Sequence, residues 1–267
     1  SFKVRFHEKD DDGAWKDDDG KHFPDRTFDG ELAVNAFEAI SKSKILHISS
    51  VKEGKNRRKP PAPFTTDTLL QTASSSLGWS MSKTSKIASD LYQAGHITYI
   101  RTDSTRTSET ARKEIKSLIE EKYGAEYIGP GSLGSDAKKG DSNVQDAHEA
   151  IRPTNPKSET IEGTEADGKR LYRLIWSRFA SSQMSDSVRE RRDLRATVSS
   201  ITEVLTGTAS WLIHPGWEAA SAEFLSDPRT NPPIFPLEAG AEWLIDEEED
   251  NPLLTSDETK PPRRYSE

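Results

Sequence analysis

Cysteine is absent from the chain, which excludes a disulfide framework and thiolate metal sites. Long apolar runs are missing as well. No stretch approaches the roughly 20 residues of a membrane span, and the first residues do not resemble a signal peptide. Apolar residues make up only 32% of the chain against 31% charged, with a mean hydropathy of −0.79. So polar a composition predicts one substantial core plus a thinner or elongated part. At a soft prior of about 150 residues per domain, the length predicts two domains. No GxxxxGK[ST] phosphate loop occurs. The six histidines are scattered without a second ligand at a typical metal spacing, so no residue of this chain is expected to bind a metal.

An excess of positive charge is lacking too. The net charge is −8, which argues against a nucleic-acid binder that uses its whole surface. The imbalance is local, however. Residues 60–186 hold 16 Lys/Arg against 17 Asp/Glu, whereas the two flanks together hold 21 against 28. The acidity therefore belongs to the flanks, "DEEED" at 246–250 above all, and leaves room for a phosphate site in the middle.

What is present falls into three blocks. "SFKVRFHEKD" alternates Phe2, Val4 and Phe6 with polar residues, the period-2 pattern of a half-buried strand. "DDDGAWKDDDG" reads as a turn or hairpin tip. Residues 31–43 read as a helix, 45–51 as a strand, and "KEGKNRRKPPAP" as a basic, proline-broken linker. Helical patterns then dominate. One runs from Phe64 with Leu69, Leu70, Ala73 and Leu77 inward, Thr65 or Thr66 as N-cap and Gly78 as stop. A second holds Ile87, Ala88 and Leu91 and ends at Gly95. A third starts at Ser108 and ends at Gly124, and the clearest contains Leu171, Leu174, Ile175 and Phe179 behind a Thr164/Asp167 capping box. Residues 129–143 read as a mobile loop. After Met184 strand patterns return, divided at Gly207 and at His214-Pro215-Gly216, with a further strand at "AEWLIDEEED". Trp211, Trp217 and Trp243 lie on these patterns and read as core rather than as a base-stacking platform. Strands, then helices, then strands predict an α+β fold in which a helical domain, 60–186, is inserted into a β-rich one, 1–59 and 187–267.

Two constellations carry chemistry. In "HITYIRTDSTRTS", 96–108, a strand would set Tyr99 and Arg101 on one face. A tyrosine with a pKa of about 10 is a poor nucleophile at neutral pH. A neighbouring cation lowers that pKa and steadies a phosphodiester under attack, and the planar fork of arginine suits phosphate. The same spacing also suits a tyrosine packed at a domain edge with Arg101 stacked on it. In "QDAHEAIRPT", 145–154, a helical turn would gather His148, Glu149 and Arg152, with Pro153 ending it. His148 and Arg152 could grip a phosphate, or the segment could be an exposed turn with an internal Glu149–Arg152 ion pair. The run "KNRRKPP" at 55–61 suits either backbone phosphates or a solvated linker.

In this order, "PPAPFTTDTLLQTASSSLGWS", "LYQAGHITYIRTDST", "QDAHEAIRPT", "LYRLIWSRFASSQM" and "TKPPRRYSE" resemble type IA DNA topoisomerases, specifically bacterial topoisomerase I. The resemblance covers nearly the whole chain and is firmest over 59–186. It implies that Tyr99 is the nucleophile, Arg101 its phosphate partner, and Thr102, Asp103, His148 and Arg152 contacts to DNA. The topoisomerase III pattern usually has proline before the arginine and a second histidine after the first. Ile100 and Glu149 point instead to topoisomerase I.

The resemblance further implies a β-rich arch domain interrupted by a winged-helix-like helical domain that carries the active-site tyrosine and swings to admit DNA. The reaction it implies is cleavage and rejoining of single-stranded DNA through a 5′-phosphotyrosine, relaxing negative supercoils without ATP. Mg²⁺ is implied in the intact enzyme, on a Toprim domain outside this chain. A chain that starts at Ser1 in a strand pattern is expected to be part of a longer polypeptide, which would supply that domain and complete the strand-binding domain. The chain alone is expected to be inactive. A monomer in the cytoplasm, associated with the nucleoid and not with a membrane, is expected. The competing reading is a non-catalytic module that binds single-stranded DNA or acts as a mechanical hinge.

Overall fold

The computed structural model describes residues 2–8, 11, 14–17, 19–131, 149–225, 236–245 and 253–256. Its contacts divide the chain into two units, one formed by 1–54, 190–210 and 231–267, the other by 55–189 and 211–230. Among the described residues, the chain passes from one to the other within three strands.

The first unit begins with β1 (Phe2–Arg5). A hairpin of β2 (Ala14–Lys16) and β3 (His22–Thr27) follows, so the Asp-rich segment expected to be only a turn contributes a strand of its own. Helix α1 (Gly30–Ser43) starts at Asp29, whose carboxylate accepts from Leu32 N, and buries Ala36 and Ile40. Strand β4 (Ile45–Arg58) is twice as long as the sequence pattern predicts. The basic run is no linker up to Arg58, because the first proline that would stop pairing is Pro60. With β5 (Ser187–Thr197), β6 (Val204–His214) and β7 (Glu242–Leu244), a five-stranded sheet forms in the order β1-β6-β5-β4-β7. Gly207 does not divide β6. It pairs with Phe2 at the sheet edge, where a missing side chain costs little packing. Ile40, Leu46, Ile48, Leu194, Val198 and Leu205 form the core of this unit, with Trp243 packed against it.

The second unit is helical and holds the larger core. Helix α2 (Thr66–Leu77) has Thr65 as N-cap in a reciprocal capping box with Thr68, and it stops at Gly78 in the left-handed conformation. Helix α3 (Met81–Gln93) is capped by Ser80, and α4 (Glu109–Tyr123) by Ser108. Helix α5 (Ala166–Ser181) is the most buried. Leu171, Ile175 and Phe179 line its inner side, and Trp176 is enclosed as well, its indole N–H donating to Pro156 O at 2.9 Å. The Thr164/Asp167 capping box does not form, because the N-cap falls one residue later, on Glu165, which makes no side-chain cap bond. After β6 the expected strand gives way to the short helix α6 (Glu218–Ser221), which the Gly216 turn directs onto α5. Trp217 packs against this unit's core and donates to Arg58 O. Mixed helix and sheet bear out the α+β class. Among the described residues, no helix is long and apolar enough to cross a membrane.

Candidate functional site

The site is built where α3 ends. Gly95 takes φ +78°, which a residue with a Cβ adopts only at a cost. The chain thereby reverses, with Gly95 N donating to Tyr92 O at 2.9 Å and His96 N to Leu91 O at 3.0 Å. Ile97 then enters the core and forms an isolated antiparallel bridge with Pro153. The strand expected over this segment goes no further. Main-chain bonds flank the bridge on both sides, Thr154 N to His96 O and Thr98 N to Arg152 O, but Arg152 N then turns to a side chain instead of continuing the ladder.

Two threonines hold the segment. Thr98 N donates to Arg152 O at 2.9 Å, Arg152 N donates back to Thr98 Oγ1 at 3.0 Å, and that hydroxyl donates to Ala150 O at 2.7 Å. Three residues on, Thr66 at the start of α2 holds the chain from the other side. Its Oγ1 lies 2.7 Å from Ile100 O and accepts from Thr102 N at 2.9 Å, while its own N–H donates to Thr102 O at 2.9 Å. The backbone from Thr98 to Thr102 is thus pinned at both ends to buried structure.

From the pinned segment Tyr99 and Arg101 face outward, while Ile100 packs against the core cluster. Tyr99, Arg101 and Asp103 are exposed, whereas Thr102 and Ser104 are buried. Alternation survives although the ladder does not. Tyr99 is 46% exposed. Its ring meets that of Tyr92 on α3 edge to face, with centroids 5.3 Å apart and planes at 64°. Among the described residues, neither the Tyr99 hydroxyl nor the Arg101 guanidinium makes a hydrogen bond or ion pair. Tyr172 is the opposite case. It is 1% exposed, its hydroxyl donates to Ser158 O at 2.7 Å, and burial pushes its phenol up to about 12. Of these two phenols, only that of Tyr99 can meet a large substrate.

The remaining predicted site residues are placed differently. Thr102 is 8% exposed and its hydroxyl accepts from Ser104 N, so it shapes the turn from within. Residues 149–154 are extended rather than a helical turn, because Ala150 N and Ile151 N donate to Arg106 O and Phe64 O, and Ile151 bridges Phe64. Arg152 forms the ion pair with Glu149 at 2.5 Å and also donates to Pro153 O. His148 lies outside the described residues, as does most of the loop at 129–143. Sequence reading missed Thr98 and Thr66 as the pins of the site. Their acceptors lie 52 and 34 residues away, and no local pattern announces them. Among the described residues, no group of three or more His, Asp or Glu side chains could hold a metal ion.

Comparison with known proteins places the chain. A family model described as DNA topoisomerase matches residues 1–267. DNA topoisomerase 1 of Thermotoga maritima is 37% identical over 254 residues, covering 90% of this chain and 37% of that protein. DNA topoisomerase 1 of Haemophilus influenzae is 37% identical over 240 residues, covering 87% of this chain and 26% of that protein. The solved structure of full-length topoisomerase I from Thermotoga maritima matches with a TM-score of 0.67 at 32% identity, over 91% of this chain and 38% of that one. The chain thus spans well under half the length of these relatives, and it belongs to the DNA topoisomerase family they represent.

Proposed function

We propose that this chain supplies the nucleophile of a type IA topoisomerase, with Tyr99 attacking a backbone phosphate of single-stranded DNA. A new bond forms between the Tyr99 oxygen and phosphorus, and the bond from phosphorus to the 3′ oxygen breaks. The phenol proton is matched by the proton gained at that oxygen, leaving a 5′-phosphotyrosine and a free 3′-hydroxyl. Reversal after passage of another strand restores the backbone and relaxes negative supercoils. The ester keeps the bond energy, so no ATP is consumed. Arg101 holds the phosphate through its fork, and Asp103, His148 and Arg152 contact the neighbouring strand. Thr102 serves from within the turn.

The observation that carries this reading is the exposed Tyr99–Arg101–Asp103 row on a backbone held by the part-buried threonines Thr98 and Thr66. The Tyr99 hydroxyl and the Arg101 guanidinium, neither with a hydrogen bond or ion pair among the described residues, face solvent from a backbone held by hydrogen bonds. In this reading 60–186 is the inserted, winged-helix-like domain and 1–59 with 187–267 the β-rich arch. Mg²⁺ belongs to a Toprim domain elsewhere in the same polypeptide, which acts as a monomer in the cytoplasm on nucleoid DNA. The second reading, a module that binds single-stranded DNA or acts as a hinge without reacting, describes the chain in isolation.

An end-labelled oligonucleotide tests the reading and its polarity. With the full-length protein, a 3′ label is expected to become attached to protein and a 5′ label to be released on a shorter strand. Attachment of the 5′-labelled fragment would refute the proposed chemistry. The isolated chain with Mg²⁺ and supercoiled plasmid is expected to relax nothing, and relaxation would show that it needs no other domain.

A further inference from the structure

We propose that Tyr92 is a positioning residue that holds the ring of Tyr99 in its attacking orientation, an inference that rests on the function proposed above. The backbone around Tyr99 is fixed by the Thr98 and Thr66 hydrogen bonds. The side chain is another matter. Tyr99 is half exposed, it lies outside the buried core cluster, and its hydroxyl has no partner among the described residues. Free rotation about its two side-chain torsions would carry the oxygen away from the line of attack.

The only ring contact to Tyr99 among the described residues is the edge-to-face one from Tyr92. Tyr92 has no evident structural employment that explains its place. It sits on the last turn of α3 beside the fully buried Leu91, yet it is 43% exposed and does not join the core cluster. Its backbone carbonyl accepts from Gly95 N, the bond that reverses the chain toward Tyr99. The same turn therefore brings the two rings together. Edge-to-face contacts favour one relative ring orientation, and a near-attack geometry multiplies rate without altering affinity. The ring of Tyr92, and not its hydroxyl, is what acts.

Single-turnover cleavage and rejoining of an oligonucleotide by the full-length enzyme tests this. Tyr92→Ala and Tyr92→Leu are each expected to slow both steps by about two- to tenfold, with oligonucleotide affinity and unfolding midpoint unchanged. Tyr92→Phe is expected to restore the rate, since it keeps the ring. Wild-type rates in Tyr92→Ala would overturn the proposal. So would a Tyr92→Phe enzyme as slow as Tyr92→Ala, or a defect confined to affinity, which would make Tyr92 a DNA contact. Tyr99→Phe, run in parallel, separates the two ideas. Cleavage by that variant removes the proposed function itself, whereas its failure together with normal Tyr92→Ala rates removes only the role of Tyr92.

Discussion

Thr98 and Arg152 are tied by a reciprocal pair of hydrogen bonds, N–H to carbonyl at 2.9 Å in one direction and N–H to hydroxyl at 3.0 Å in the other. The second of these needs the threonine oxygen. Thr98→Val keeps the shape but leaves Arg152 N and Ala150 O without that partner. Leaving such groups unsatisfied costs about 1–3 kcal/mol. The variant is expected to unfold at lower urea concentration and to cleave DNA more slowly, while Thr98→Ser keeps most of both. Unfolding curves and cleavage rates for the pair check it.

Arg101→Lys separates charge from geometry. An ammonium keeps the positive charge but cannot offer two parallel N–H donors to one phosphate. Removal of a preorganised donor typically lowers a rate by about a hundredfold or more, and the retained charge softens this toward about tenfold. Slower cleavage with near-normal salt-dependent DNA affinity is the expected result in the full-length enzyme. Unchanged relaxation would argue against a bidentate contact.

Glu218 is a buried structural charge. It is 5% exposed, pairs with Arg189 at 2.6 Å, and accepts from Ser187 Oγ at 2.6 Å. Removing one member of a buried pair strands the other, at a cost of about 3–5 kcal/mol. Glu218→Gln retains the shape and part of the hydrogen bonding, so a loss near the lower end of that range is expected. Urea denaturation measures it, and an unchanged midpoint would mean that solvent already screens the pair.

The relatives' similarity covers most of the chain, but what a bare sequence makes legible differs from element to element. Capping chemistry was readable wherever it was local: Thr65 and Gly78 bound α2 as predicted, and Ser108 starts α4. Where tertiary contacts decide, local rules gave way. Strand β4 runs on through a basic segment because β5 lies beside it. Thr164 and Asp167 have the right spacing for a capping box, yet α5 begins after Glu165. At the candidate site, the outward pairing of Tyr99 with Arg101 was legible from period-2 spacing, although the ladder assumed for it is absent. The threonine pins were not legible, because hydrogen bonds across 34 and 52 residues leave no periodic trace.

Tyr172 gives a pH prediction. Its folded-state phenol is held up to about 12 by burial, against about 10 in the unfolded chain. The folded form therefore keeps its proton longer. Stability from this group is fully present below pH 10 and is lost as the pH rises toward 12, by about 2–3 kcal/mol in all. Between those values the urea midpoint is expected to fall more steeply in the wild type than in Tyr172→Phe. Parallel curves would show that the phenol ionises without unfolding.

The identity of the atom that bonds to DNA is the central claim, and mass spectrometry of the trapped adduct reads it directly. Trypsin cutting after Lys86 and Arg101 releases the peptide Ile87–Arg101, which contains both Tyr92 and Tyr99. After nuclease trimming of the full-length protein's DNA adduct, fragmentation of that peptide is expected to place the residual 5′-linked nucleotide on Tyr99. A nucleotide on Tyr92, or on any peptide other than this one, would contradict the assignment.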